Sequence, residues 1–142
     1  MQHGDSHTVR RRRFPAHGWA GLALVFTFWA LNWFLPGLRT HWAFFPLWCG
    51  YCLTVDGLTC ARKGNSILSR SPRSWVMLFV VSVPGWWLFE VLNAHTHNWV
   101  YLGSHHFTDL EYLALTSLCF STVMPAVFGT AELAGTFRWI AR

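Results

Sequence analysis

The chain has 142 residues, of which 53% are hydrophobic and 18% aromatic, whereas only 12% are Asp, Glu, Lys or Arg. Soluble domains carry roughly 25% charged residues, so this composition excludes an ordinary water-soluble globule, and its hydrophobicity excludes an intrinsically disordered chain. A membrane-crossing helix needs about 20 apolar residues, so the length allows four or at most five crossings.

The first thirteen residues form a polar arm that ends in four consecutive arginines. We interpret residues 1–13 as a basic cytoplasmic arm and residues 14–142 as a single transmembrane domain. The first helix is predicted over residues 17–35, because Pro36 and Gly37 then favour a helix end. The uncharged run containing this helix is longer than the ~7–15-residue apolar core of a signal peptide, so we expect the helix to stay in the mature protein.

Three further helices are predicted along the chain, over residues 41–61, 74–93 and 110–134. Pro84 is expected to bend the third helix near its middle. The polar stretch from residue 62 to residue 73 is too short and too polar to cross a membrane. No segment alternates as a strand would, so the predicted fold is all-α, an integral membrane four-helix bundle.

Lysine and arginine residues are distributed unequally between the connections. Ten of the eleven lie in the N-terminal arm, the second connection and the tail, whereas Arg39 alone lies in the first connection. Positive residues favour the cytoplasmic side, so we expect a multi-pass inner-membrane protein with both termini in the cytoplasm. The net charge of +5 then needs no nucleic-acid partner.

Besides Glu111 at the very start of the fourth helix, three acidic residues lie within the predicted membrane helices, where a carboxylate costs about 2.5–3.5 kcal/mol on insertion scales. Such residues normally face protein or water, so we predict a polar cavity inside the bundle. Glu90 is expected to line the main outer-leaflet cavity with Asn32 and with Trp86 or Trp87. An alternative is that each acid has only a structural role, as a partner of nearby basic residues. The candidate residues are Asn32, Asp56, Trp86, Trp87, Glu90, Asn93 and Glu132.

Histidines and cysteines give weaker signals. Zinc needs three or four ligands, and the only weak candidates are His95, His97, His105 and His106. No helical spacing fixes their geometry, so neither a metal nor a cofactor is predicted. Cys49 and Cys52 form a CxxC motif, a redox signature in soluble oxidoreductases. Their position inside a helix favours a packing role, while redox activity stays open.

Three sequence segments carry a resemblance to a known family. They are Phe45-Pro46-Leu47-Trp48 with Gly50-Tyr51 and Leu53-Thr54-Val55-Asp56, then Trp86-Trp87-Leu88-Phe89-Glu90 with Asn93 and Asn98-Trp99, then Ser121-Thr122-Val123 with Pro125-Ala126. The chain resembles an uncharacterised family of bacterial polytopic inner-membrane proteins. This resemblance implies a bacterial inner-membrane location and no known activity. Such proteins are longer, which leaves open that this chain is the amino-terminal part of a larger bundle.

Two function classes follow from these observations. The favoured class is a non-catalytic structural, assembly or small-solute-binding bundle, because the polar groups are scattered over two levels. The alternative is an intramembrane enzyme or carrier for a lipid, isoprenoid or quinone, in which buried carboxylates accept and release protons. The sequence therefore does not decide whether the chain is an enzyme. The expected partners are the bilayer, a lipid or quinone ligand and other membrane subunits, but no nucleic acid.

Overall fold

A computed structural model describes residues 13–35, 42–102, 104–137 and 140. Within these residues the chain is helical and contains no strand, which confirms the all-α prediction. The N-terminal arm before Arg13, the first connection with Arg39 and most of the C-terminal tail lie outside the described residues. The helices are α1 (Ala16–Phe34), α2 (Phe44–Lys63), α3 (Ile67–Arg70), α4 (Pro72–Thr96), α5 (Asp109–Phe120) and α6 (Val123–Ala134), with a 3₁₀ turn at Ser104–His106.

Helix α4 corresponds to the predicted third helix but is longer at both ends. It begins at Pro72, since the Ser71 hydroxyl accepts a hydrogen bond from the Ser74 amide and proline suits the first turn. It continues through Pro84 to Thr96, where His97 adopts a left-handed conformation with φ of 52°. The short helix α3 precedes it, inside the polar stretch that the sequence predicts as a connection.

The predicted fourth helix over residues 110–134 is two helices in the structure, α5 and α6. Pro125 explains the break, because it has no amide hydrogen for the carbonyl of Ser121 and its ring crowds that carbonyl. The hydroxyls of Ser121 and Thr122 bond back to the carbonyls of Leu118 and Cys119, at 2.6 and 2.7 Å. These bonds turn the chain between the two helices.

Ser82 of α4 holds this break in place. Its side chain is buried, and its hydroxyl donates to the Phe120 carbonyl at 2.5 Å and accepts from the Met124 amide at 3.0 Å. The last carbonyls and first amides of helices lack partners within their own helix. One serine therefore satisfies a group at the end of α5 and another at the start of α6.

The helices α1 and α2 pack at backbone contact. A Cβ atom added at Gly21 would lie 2.6 Å from the Thr54 amide nitrogen, and one added at Gly50 would lie 2.7 Å from the Leu24 Cβ atom. Side chains larger than hydrogen would force the two helices apart at these positions. Glycine contacts of this kind are frequent between helices in membranes.

The chain has two distinct ends along the helix axes. The basic end contains the start of α1, the end of α2, helix α3 and the end of α6, together with Arg62, Lys63 and Arg70. The loop end contains the end of α1, the start of α2, the start of α5 and residues 97–108. Helix α2 packs extensively on α6 but only slightly on α5, so the helices spread apart towards the loop end. Most buried residues of α2 accordingly lie between its middle and the basic end.

Two helical segments of the described chain are long and apolar enough, by length and composition, to cross a membrane. They are Pro72–Thr96 and Asp109–Ala134, whose most apolar windows are only 6% and 28% buried. The core helix of a soluble protein would be mostly buried. Most of the apolar surface of these segments is therefore not buried against the rest of the chain.

Candidate binding cavity

A cavity of about 470 Å³ opens at the loop end, where α1 and α2 are separated from α4 and α5. This volume is within the range of about 300–1,000 Å³ that is typical of small-molecule sites. Aromatic side chains are the largest group in the wall, namely Phe44, Trp86, Tyr101, Phe107, Tyr112 and Phe120. The other polar lining residues are uncharged, namely Asn32, Ser104, Thr116 and Cys119.

Phe120 at the end of α5 forms the floor of the cavity. Its side chain is buried, and its ring contacts Trp86 and Trp87 with centroid distances of 5.8 and 5.4 Å. Trp87 does not line the cavity, since its indole nitrogen donates to the Ser117 hydroxyl at 3.0 Å. The Ser82 hydroxyl of α4 also donates to the Phe120 carbonyl. The floor is therefore fixed by contacts between α4 and α5.

Glu90 lies behind the cavity wall. Its Oε1 atom accepts hydrogen bonds from the indole nitrogens of Trp86 and Trp99, both at 3.2 Å, and from the Tyr101 hydroxyl at 2.6 Å. Trp86 and Tyr101 line the cavity, but Glu90 does not. One carboxylate oxygen therefore orients two rings of the wall.

Asn93 anchors the segment that follows α4. Its side-chain amide donates to the Trp99 carbonyl at 2.9 Å and accepts from the Trp99 amide at 3.1 Å. This pair places the segment next to Glu90. Because Tyr101 follows two residues later, Asn93 helps to define the same wall.

The hydroxyl of Tyr101 remains a hydrogen-bond donor over a wide pH range. Partial burial raises its pKa above the ordinary value, and its hydrogen bond to the Glu90 carboxylate raises the pKa further. The ionised form would place two negative charges side by side. The bond between Tyr101 and Glu90 is therefore intact at neutral and moderately alkaline pH.

Asp56 is at the other end of the chain, in a buried cluster. Its carboxylate accepts from the Ser66 hydroxyl at 2.6 Å and from the Leu68 amide at 3.0 Å. The His17 Nε2 atom lies 3.0 Å from the same carboxylate, close enough for an ion pair but not in the direction of a hydrogen bond. Asp56 thus joins α1, α2 and α3.

Glu132 forms a second cluster at the basic end. Its Oε1 atom contacts both the Lys63 ammonium and the Arg70 guanidinium at 2.5 Å. Arg70 also donates to the Asn65 side chain at 2.9 Å. The groups belong to α2, α3, α6 and the turn between α2 and α3. Glu132 therefore ties the basic ends of these helices together.

The residues predicted for one polar cavity are thus divided between the two ends. Asn32 and Trp86 line the cavity, and Glu90 and Asn93 hold its wall. Asp56 and Glu132 lie at the basic end, within structural clusters. The sequence reasoning missed the lining residues Tyr101, Phe107, Tyr112 and Thr116. The density of aromatic residues after position 99 is a sequence signal for Tyr101 and Phe107, but not for Thr116.

The weak metal candidates do not form a ligand cluster. Within the part of the chain that the structure describes, no group of three or more His, Cys, Asp or Glu side chains is placed to hold a metal. His95 contacts its own helix, at 2.9 Å from the Val91 carbonyl. The rings of His105 and His106 lie 4.0 Å apart.

Comparison with known proteins finds no family model, no curated protein and no solved structure that matches this chain. What the chain does is therefore inferred from its own geometry and charge.

Proposed function

We propose that the chain is a multi-pass protein of the bacterial inner membrane that binds a small apolar molecule in the cavity without transforming it. In this proposal four helical segments cross the bilayer, namely α1, α2, α4 and the pair α5 and α6. Both termini face the cytoplasm. The cavity at the loop end is the single observation that carries the binding function.

The exposed apolar surface supports a membrane location. Ser82 is the only buried residue of α4, and large side chains such as Trp33 and Phe34 are 77% and 81% exposed on α1. Soluble monomers rarely expose contiguous apolar patches larger than a few hundred Å². Helices α1 and α2, with 19 and 20 residues, are about 28–30 Å long, which matches the hydrocarbon core.

The charge distribution supports the orientation. The described basic residues Arg13, Arg62, Lys63, Arg70 and Arg73 all lie at the basic end. Positive residues favour the cytoplasmic face of a membrane. The basic end then faces the cytoplasm, and the cavity opens within the outer half of the bilayer.

The geometry supports binding rather than proton transfer. Among the described residues that line the cavity, none is a carboxylate. Asp56 and Glu132 lie at the opposite end of the helices, and Glu90 is occupied by three donors behind the wall. The polar groups therefore do not converge on one reacting position, as an intramembrane enzyme would require.

Identification of co-purified molecules tests this proposal. The full chain is purified in mild detergent, and bound molecules are extracted and identified by mass spectrometry. We expect one small apolar molecule per wild-type chain. The matched control Leu113→Phe should retain it as well, because Leu113 lies on the exposed face of α5. Thr116→Phe should fill the cavity and abolish retention while leaving thermal unfolding nearly unchanged. Wild-type protein without a stoichiometric molecule, or equal retention by both variants, would contradict the proposal.

A further inference from the structure

The chemistry of the cavity wall restricts the class of ligand, provided that the proposed binding function holds. The described lining residues include no Asp, Glu, Lys, Arg or His. A charged ligand in an apolar site needs a partner of opposite charge, because burial of an unpaired ion is very unfavourable. The wall therefore favours a neutral ligand over a fatty acid or a phosphate-bearing headgroup.

The aromatic wall favours a flat ligand. Six of the lining side chains are aromatic, and rings of this kind pack best against another planar ring, either stacked or edge to face. Glu90 fixes the orientation of Trp86 and Tyr101 before any ligand enters. A wall that is ordered in advance loses little side-chain entropy on binding. An acyl chain would gain apolar contact with these rings but no stacking.

Hydrogen-bond donors are available inside the cavity. One N–H of the Asn32 side chain bonds to the Phe28 carbonyl, and the second N–H of that amide has no acceptor among the residues that the structure describes. The Thr116 hydroxyl lines the cavity and has no hydrogen-bond partner within the described residues. Two donors of this kind suit carbonyl oxygens on the ligand.

We infer that the cavity takes a neutral lipid whose headgroup is a planar ring with carbonyl oxygens, the chemistry of a quinone. The ring lies between the aromatic side chains, and its carbonyls accept from Asn32 and Thr116. Leu102 lines the cavity and is 89% exposed, so an apolar tail passes along this side chain from the ring into the surrounding lipid.

Calorimetric titration of the detergent-purified full chain with menadione, a neutral naphthoquinone, tests this inference against palmitate, an anionic acyl chain. We expect menadione to bind at one site and palmitate to bind at least about tenfold more weakly. Trp86→Leu should weaken menadione binding about tenfold through loss of a stacking face. The control Trp29→Leu should bind as wild type, because Trp29 is on the exposed surface of α1.

A second variant keeps the test decisive if Trp86→Leu fails to fold. Thr116→Val removes only a hydroxyl group, and we expect it to weaken menadione binding about fivefold while palmitate binding is unchanged. If palmitate binds as tightly as menadione and Thr116→Phe blocks both, the inferred ligand class is wrong. The proposed binding function would still stand in that case. Failure of both probes, together with the absence of any co-purified molecule, would overturn both proposals.

Discussion

At the scale of single residues, the three acids Asp56, Glu90 and Glu132 are the features whose partners matter most. Asp56 has its nearest basic sequence neighbours at Arg62 and Lys63, which makes a local pair the simple structural expectation. The structure instead gives it His17, Ser66 and the Leu68 amide. Sequence reasoning identified Asp56 as important because a buried acid needs partners, but it could not identify groups on other helices.

Loss of the Asp56 carboxylate should therefore destabilise the basic end. We expect Asp56→Leu to lower the free energy of unfolding by about 1–3 kcal/mol, since it leaves the Ser66 hydroxyl and the Leu68 amide unpaired. The measurement is chemical unfolding in detergent micelles. Asp109→Leu is the control, because Asp109 is exposed and belongs to neither cluster. Equal losses in the two variants would contradict the assigned role of Asp56.

Tyr101 gives a prediction with a defined pH dependence. The pKa of Tyr101 is raised in the folded protein above the unfolded value of about 10. The hydrogen bond from Tyr101 to Glu90 therefore stabilises the fold fully at any pH below about 10. The contribution is lost as the pH rises through the folded pKa. Tyr101→Phe should cost about 1 kcal/mol, equally at pH 7 and pH 9. A cost that falls between pH 7 and pH 9 would contradict this account.

At the scale of helices, the sequence predicted where most elements lie but not how they are joined. Apolar length located α1, α2 and α4, and Pro36 with Gly37 also indicated the end of α1. The sequence does not predict the break between α5 and α6, although Pro125 lies within the predicted fourth helix, because a proline can also be accommodated within a kinked helix. The partner that stabilises the break is Ser82, which lies 38 residues before Phe120.

Removal of the Ser82 hydroxyl should destabilise the folded chain. We expect Ser82→Ala to lower the free energy of unfolding by about 1–3 kcal/mol, because the Phe120 carbonyl and Met124 amide lose a buried partner. Ser74→Ala on the same helix is the matched control, since Ser74 is exposed. Thermal unfolding of both variants in detergent makes the comparison. If Ser82→Ala unfolds at the same temperature as Ser74→Ala, the break does not depend on Ser82.

The contact between α1 and α2 gives a second prediction at this scale. Gly21→Ala places a methyl group against the backbone of α2, which cannot yield, so we expect a loss of stability of about 1–3 kcal/mol. Gly129→Ala is the control, because its added carbon would lie at 3.6 Å from Val55, an ordinary contact. Thermal unfolding distinguishes them. Equal stability of the two variants would show that α1 and α2 are not in backbone contact.

At the scale of the whole molecule, composition was the most informative signal. It predicted an all-helical membrane protein, and the helical fold is confirmed. The cavity was less accessible to prediction, because its wall comes from five helices and from the connection between α4 and α5. Asn32 and Trp86 were identified from polarity and position. Tyr112 and Thr116 could be assigned only once the helices were placed.

The membrane arrangement is the central claim, and cysteine accessibility in intact bacterial cells tests it most directly. In a cysteine-free background, Asn65→Cys marks the basic end and Ser104→Cys marks the loop end. We expect a membrane-impermeant maleimide to label Ser104→Cys in intact cells and Asn65→Cys only after the cells are permeabilised. Labelling of Asn65→Cys in intact cells, or labelling of Ser104→Cys only after permeabilisation, would contradict the proposed orientation and the placement of the cavity in the outer half of the bilayer.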